Sequence, residues 1–135
     1  MDKILVDTNI VVDLLAKRSE FFAPASKLFT LADHKKVQLA ISSLTFANTY
    51  YLLHKELDAP KAKEILRKFK LLVTVLPTDD KIIELALNSD FNDFEDAIQY
   101  YSAIENGFEL IITRNLKDFK QAQLPVMTAD NYLKM

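Results

Sequence analysis

The sequence contains no cysteine and only a single glycine among its 135 residues. The absence of cysteine excludes a disulfide scaffold, a zinc–cysteine site and a thiol nucleophile, and it suits a reducing compartment. With one glycine, most turns must be built from Asp, Asn and Pro, which indicates short connections and a large helical content.

Long apolar runs are also missing. The longest uncharged apolar stretch, residues 71–78, is far too short to span a bilayer. The N-terminal segment reaches the acidic Asp7 before the apolar region of a signal peptide could form. We therefore expect a soluble, cytoplasmic protein that does not enter a membrane.

The sequence has no excess of positive charge, since the formal net charge is −2 at pH 7. This counts against strong, sequence-independent binding to a nucleic-acid backbone. A local cluster of cations nevertheless falls within residues 55–70. It consists of Lys55, Lys61, Lys63, Arg67, Lys68 and Lys70. Two interpretations stay open: a local binding patch or, as is more common for charge runs, a solvated helix face.

Short apolar runs alternate with longer helical patterns along the chain. The runs predict strands at 3–6, 37–41, 72–76, 110–113 and 125–127, with helices at 8–16, 21–32, 43–57, 58–70, 79–87, about 93–106 and after Thr128. This alternation predicts an α/β fold with a central, mostly parallel sheet of four or five strands and helices on both faces. The length is that of one domain, residues 1–135.

Acidic and amide residues concentrate where the predicted strands end and the next helices begin. In an open parallel sheet, ligands bind beyond the carboxyl ends of the strands. Separate segments place polar residues at this edge: Asp7 and Asn9; Asn48; Asp93, Glu95 and Asp96; and Thr113, Arg114, Asn115 and Asp118. We expect Asp7 and Asp96 to approach closely enough to share one ion or its waters.

Such a set of oxygen donors suits a hard divalent cation. Mg²⁺ and Mn²⁺ prefer oxygen ligands, and Mg²⁺ keeps several waters, so that a few carboxylates suffice to hold it. Each residue also has a plainer interpretation. Asp7 and Asp93 could simply cap helices, and Asn115 and Asp118 could form turns. The convergence of several segments on one edge favours the metal site.

Several segments resemble the motifs of PIN domains. Ile4-Leu5-Val6-Asp7-Thr8-Asn9 resembles the opening of that family. Asp96-Ala97 at a helix start, Ile111-Ile112-Thr113-Arg114-Asn115 and Asp118-Phe119 are similar to its second half. The resemblance covers essentially the whole chain in order and spacing, and it is closest to small bacterial PIN proteins similar to the toxins of toxin–antitoxin pairs.

The resemblance implies a Mg²⁺- or Mn²⁺-dependent endoribonuclease that hydrolyses RNA, a homodimer and an antitoxin partner. Carried over position by position, it assigns Asp7 and Asp96 as metal-binding and catalytic aspartates. The last acidic position falls on Asn115 or on Asp118, and we favour Asp118. Thr113 corresponds to a hydroxyl near the site.

The chain departs from the family pattern after the second strand, where PIN domains usually have a glutamate and this sequence has Asn48. An amide brings a dipole in place of a full charge; Asp93 or Glu95 could compensate. A second interpretation is therefore a PIN-fold module that binds RNA or protein with weak or no catalysis. A phosphotransfer domain using Asp7 is disfavoured, because Asn9 replaces the second acid of an Asp-x-Asp pair.

The helix after the second strand is rich in aromatic residues. The stretch comprises Phe46, Tyr50, Tyr51 and Leu53. It covers more of the helix than one core-facing stripe requires, and tyrosine favours interfaces, which supports the expected homodimer. The alternative is that these residues fill the core. The histidines, His34 and His54, are predicted to lie at the surface, away from the polar edge.

Overall fold

The computed structural model describes all residues, 1–135, and has a five-stranded sheet in which all neighbouring strands are parallel. The strands are β1 (Asp2–Val6), β2 (Val37–Ser42), β3 (Val73–Leu76), β4 (Leu110–Ile112) and β5 (Val126–Met127). Their order is β3-β2-β1-β4-β5. The chain moves outward from β1 on one side and then on the other, so β1 and β4 form a topological switch point. A crevice opens there because the connections after the two strands diverge.

Seven α-helices connect the strands: α1 (Thr8–Leu15), α2 (Phe22–Asp33), α3 (Ser43–His54), α4 (Ala59–Phe69), α5 (Asp80–Leu87), α6 (Phe94–Glu105) and α7 (Ala129–Leu133). All but α2 begin at a residue whose side chain accepts a backbone N–H: Asp7, Ser42, Asp58, Asp79, Asp93 and Thr128. A cap of this kind stabilises a helix by about 1 kcal/mol. After α6, Gly107 adopts a φ of 72°, the left-handed conformation that commonly ends a helix.

Helices cover both faces of the sheet, because its strands are apolar on both sides. Along β1, Ile4 and Val6 point to one face and Leu5 to the other, and all three are fully buried. The first face packs against α1 to α4 and α7. The second packs against α6, which in turn contacts α5. Burying an Ile or Leu side chain contributes about 1.5–3 kcal/mol, so this alternation fixes the register of the central strand.

The predicted α/β architecture is confirmed, and a few boundaries need correction. Residues 70–72 form a 3₁₀ turn, so β3 begins at Val73 rather than Leu72. Helix α3 ends at His54 instead of residue 57, and Thr113 follows β4 rather than ending it. A second 3₁₀ turn, Leu116–Phe119, has no counterpart among the predicted elements because apolar spacing does not reveal so short a segment.

Both histidines lie at the surface, as predicted. His34 follows α2 and is exposed, and His54 is exposed at the end of α3 with its ring stacked on Tyr50 at 5.5 Å. None of the helices combines the length and the apolar character that crossing a bilayer requires.

Candidate metal centre

Asp7 occupies the end of β1, and hydrogen bonds fix both of its carboxylate oxygens. Oδ1 accepts the backbone N–H of Thr8 at 2.8 Å. Oδ2 accepts the hydroxyl of Thr113 at 2.8 Å and the amide of Asn9 at 3.4 Å. Thr113 follows β4, the neighbour of β1, so the switch point itself orients this carboxylate. Burial raises the pKa of Asp7 above its ordinary value, against the opposing effect of the hydrogen bonds from Thr113 and Thr8.

The first turn of α6 brings a second group of acids to the same edge. Asp93 caps the helix by accepting the backbone N–H of Asp96 at 3.0 Å. Asp96 is partly buried, and its pKa is raised to about 7, first by burial and then by the negative charges of Asp7, Asp93, Asp118 and Glu95. Asp96 therefore lies close enough to the other carboxylates to interact with them electrostatically.

The loop after β4 completes the edge. Thr113 Oγ1 accepts the backbone N–H of Asn115 at 3.0 Å, which holds the loop over the end of β1. The following 3₁₀ turn presents Asp118 at the surface. A depression of about 300 Å³ results, lined by Asp7, Thr8, Asn9, Val12, Arg18, Leu52, Asp93, Glu95, Asp96, Asn115 and Asp118. Most of the predicted site residues thus line one depression. Thr113 and Arg114 do not line it, although Thr113 donates a hydrogen bond to Asp7.

Asn48 lies beside this depression rather than in its lining. Its Nδ2 donates to Glu95 Oε1 at 3.2 Å, and the hydroxyl of Thr8 donates to the same oxygen at 3.3 Å. The carboxylate next to the Asn48 position therefore comes from α6. Of the two acids that the sequence offered, Asp93 and Glu95, Glu95 is the one that contacts Asn48.

A buried polar network, which was not predicted from the sequence, lies beneath the acids. Gln99 Nε2 donates to Thr45 Oγ1 at 2.5 Å, and Thr45 Oγ1 lies 2.9 Å from the hydroxyl of Thr8. Gln99 and Thr45 are fully buried. Their only signal in the sequence is a polar residue where helical spacing requires an apolar one. The network connects α1, α3 and α6 under the site.

Asp13 is a further buried polar residue that was not predicted from the sequence. It is fully buried, and Arg114 binds it with two nitrogens, Nε at 2.8 Å and Nη2 at 3.2 Å. The guanidinium of Arg114 also lies 4.0 Å from the centre of the Phe21 ring. Asp13 interrupts an otherwise apolar stretch of α1, and this interruption is the one sign of its role. Through Arg114, it fastens the loop after β4 to α1.

The donor set fits a Mg²⁺ or Mn²⁺ ion held mainly through water. Apart from Arg18 and two apolar side chains, the side chains that line the depression offer oxygen atoms, and the pKa of Asp96 is raised first by its burial and then by the neighbouring carboxylates. However, no group of three or more His, Cys, Asp or Glu side chains is arranged to hold one ion together. Asp7, Asp96 and Asp118 thus do not form a closed cage. Mg²⁺ commonly binds proteins through one or two carboxylates and several waters, which agrees with this arrangement.

The raised pKa values predict how stability depends on pH. Between the ordinary value of 3.8 and about 7, native Asp96 holds a proton that the unfolded chain has released. Unfolding then releases protons, so stability falls as the pH rises through this window. In EDTA we expect the melting temperature to be lower at about pH 8 than at about pH 5. The Asp96→Asn variant should show a smaller difference between these two melting temperatures. At the higher pH, adding Mn²⁺ should raise the melting temperature again. A melting temperature that rises with pH would contradict this.

The fold and the crevice together define the class of protein. The family profile of the PIN domain matches residues 3–117, most of the chain. This chain belongs to the PIN domain family.

Among known proteins, the chain is similar to ribonuclease VapC1 of Aquifex aeolicus (strain VF5). The two are 26% identical over 136 residues, which cover 97% of this chain and 93% of the relative. The fold is similar to that in a toxin–antitoxin complex from Klebsiella pneumoniae, with a TM-score of 0.70, 26% identity, and coverage of 93% and 97% of the two chains. DNA-bound VapBC from Salmonella typhimurium gives a TM-score of 0.69 at 21% identity, covering 94% and 97%, and supports the fold alone.

Proposed function

We propose that this protein is a Mg²⁺- or Mn²⁺-dependent endoribonuclease that hydrolyses phosphodiester bonds in RNA. The observation that supports it best is the depression at the switch point, which is lined by Asp7, Asp93, Glu95, Asp96 and Asp118; burial and then repulsion by these carboxylates raise the pKa of Asp96 to about 7. A cation relieves that repulsion. The relationship to a ribonuclease over nearly the whole chain supports RNA as the substrate.

Each site residue has a definite task under this proposal. Asp7, Asp96 and Asp118 would hold the cation, directly or through water. When bound, the cation supplies positive charge for the phosphate and favours hydroxide formation from water. Thr113 and Asn9 keep the Asp7 carboxylate in one orientation, while Glu95, paired with Asn48, adds negative charge at the wall. Asp118 is exposed at the rim of the depression.

The test is cleavage of a single-stranded RNA by the purified chain. We expect internal cuts in Mn²⁺ or Mg²⁺ and none in EDTA, because metal removal leaves the acids repelling the phosphate. Products resolved on a denaturing gel check this. Equal cutting in EDTA would exclude a metal-dependent mechanism.

The second candidate is a PIN-fold module that binds RNA or a protein with little or no catalysis. It is favoured by Asn48, whose amide is engaged with Glu95, and by the lack of any closed set of acidic ligands. This candidate predicts RNA or partner binding by a protein that never cuts RNA with any divalent cation.

Replacing Asn48 with glutamate separates the two candidates. The new carboxylate would lie beside Glu95 and add charge to the site, so we expect Mn²⁺ to bind about tenfold more tightly, or about 1.4 kcal/mol. In EDTA the same variant should melt at a lower temperature, because the two glutamates repel each other. Asn48→Gln is the neutral control. Mn²⁺ affinity is measured by calorimetric titration. Equal affinities for Asn48→Glu and Asn48→Gln would show that Asn48 is not part of the site.

The partners are also proposals. The VapBC and toxin–antitoxin complexes among the structural neighbours support an antitoxin protein as partner and a toxin role for this chain. A homodimer stays a prediction. Leu53 is buried, and Phe46 and Tyr50 pack against the core, so most of the aromatic stretch has an intramolecular role. Tyr51 and Leu52 remain exposed.

A further inference from the structure

Three neighbouring depressions, together called the groove here, lead from the acidic site to the basic face of α4. Thr8, Leu52 and Glu95 line the acidic depression and also a second one, which adds Asn48, Tyr51 and Lys55. Tyr51 then borders a third depression between α3 and α4. This last one is lined by Phe46, Ala47, Tyr50, Tyr51, Lys63, Leu66, Arg67 and Lys70.

The far end of the groove is positively charged. Lys63 and Arg67 lie four residues apart on one side of α4, and Lys70 follows three residues later, just after the helix ends. All three are exposed and none has an acidic partner within salt-bridge distance, whereas Lys68 pairs with Glu64 at 3.6 Å outside the groove. The groove walls between α3 and α4 contain no acid.

The middle of the groove presents an aromatic ring. Tyr51 is 65% exposed, although tyrosine is a large, partly apolar side chain. Tyr50 contacts it edge-on at 5.3 Å between ring centres, and Tyr50 is itself stacked on His54. The supporting rings hold Tyr51 in place while its outer face stays free. Lys55, exposed at the end of α3, borders the same segment.

We propose that this groove binds the single-stranded RNA that flanks the phosphate at the acidic site. Lys55, Lys63, Arg67 and Lys70 would contact backbone phosphates, and Tyr51 would stack on a base. A charged groove with an exposed aromatic ring is the arrangement that binds single strands without reading their sequence. The inference rests on the proposed function, since the strand in the groove is the substrate.

The charges favour RNA over a second copy of this chain. A two-fold dimer centred on the Lys63, Arg67 and Lys70 face would bring the cations of one protomer opposite the cations of the other. A polyanion meets no such repulsion. The groove also ends at the acids, which is where a bound strand must reach to be cut.

The first test compares two cations on the same helix. Arg67 lines the groove and Lys61 does not, and both are exposed. We expect Arg67→Ala to weaken binding of a labelled single-stranded RNA of about 12 nucleotides by three- to tenfold, in EDTA to prevent cutting. The slope of log K against log[salt] should fall by about 0.7 for the lost phosphate contact. Lys61→Ala should change neither quantity, as measured by fluorescence anisotropy.

The second test concerns the aromatic ring. Tyr51→Ala should weaken RNA binding about tenfold, and Tyr51→Phe should bind like the wild type, because stacking needs the ring and not the hydroxyl. Tyr51 is largely exposed, so neither change should lower the melting temperature appreciably. Light scattering on the same samples reports the oligomeric state.

Several results would overturn the groove. The first is that the wild type does not bind RNA. The second is that Arg67→Ala and Lys61→Ala lose the same amount of RNA affinity. The third is that Tyr51→Ala changes the oligomeric state and leaves the RNA affinity unchanged. Failure of the proposed function looks different. RNA binding with the expected variant pattern but no cleavage in any metal would support the groove and reject the nuclease. Cleavage with a KM unaffected by Arg67→Ala would support the nuclease and reject the groove.

Discussion

Replacing Asp96 with asparagine is expected to reduce RNA cleavage by about a thousandfold without unfolding the protein. Asp96 lies beside the other acids, and the charge stabilisation that a bound metal supplies is worth several kcal/mol, each 1.4 kcal/mol being tenfold in rate. The substitution also removes a charge that is unfavourable in the metal-free native state. The melting temperature at about pH 8 in EDTA should therefore stay the same or rise.

The matched control is Asp80→Asn. Asp80 is also an acid in the first turn of a helix, α5, but it is exposed and does not line the acidic depression. It should leave cleavage unchanged and cost at most about 1 kcal/mol of helix stability. If a folded Asp96→Asn variant cuts RNA at the wild-type rate, Asp96 does not help to hold a metal. A large loss of stability would instead give it a structural role.

Arg114→Ala is expected to have the largest effect on stability. It leaves the buried carboxylate of Asp13 without its bidentate partner, and breaking a buried pair in this way costs about 3–5 kcal/mol. Arg18, at 3.8 Å from Asp13, retains part of the compensation, so we expect about 3 kcal/mol. Urea unfolding measures the free energy, and the melting temperature should fall by roughly 10 °C.

Two controls identify the cause of that loss. Arg18→Ala removes a half-exposed side chain at a longer distance and should cost less than about 1 kcal/mol. The double variant Asp13→Leu with Arg114→Met replaces the pair by apolar groups and should recover most of the stability. A cost below about 1 kcal/mol for Arg114→Ala would mean that the pair does not stabilise the loop after β4.

The strands, the caps and the main acids could be predicted because each depends on local sequence. The apolar run that ends at Val6 predicts a buried strand, and a parallel strand in an α/β fold has its ligand edge at its carboxyl end, which places Asp7 there. Asp93 and Asp96 follow from the cap and first turn of α6. Predicting features that depend on residues within a few positions of each other requires no knowledge of how the helices pack.

Contacts between distant segments could not be predicted in this way. Asn48 and Glu95 are 47 positions apart, and Asp13 and Arg114 are 101 apart. Whether such pairs meet depends on the distances and crossing angles of the helices that contain them, which follow from how whole faces of side chains interlock. The sequence offered Asp93 and Glu95 equally as neighbours of Asn48, and only the packing of α6 against α3 and α1 shows that Glu95 contacts it.

The sequence by itself determined that this chain folds as an α/β domain with acids at one edge of a parallel sheet, because periodicity and strand ends are local properties. The tertiary structure decided which carboxylate contacts Asn48, which buried ion pair fastens the loop after β4, and that neighbouring depressions lead from the acids to the basic face of α4. Those features arise from packing, since each joins residues that are neighbours only when the helices are in place.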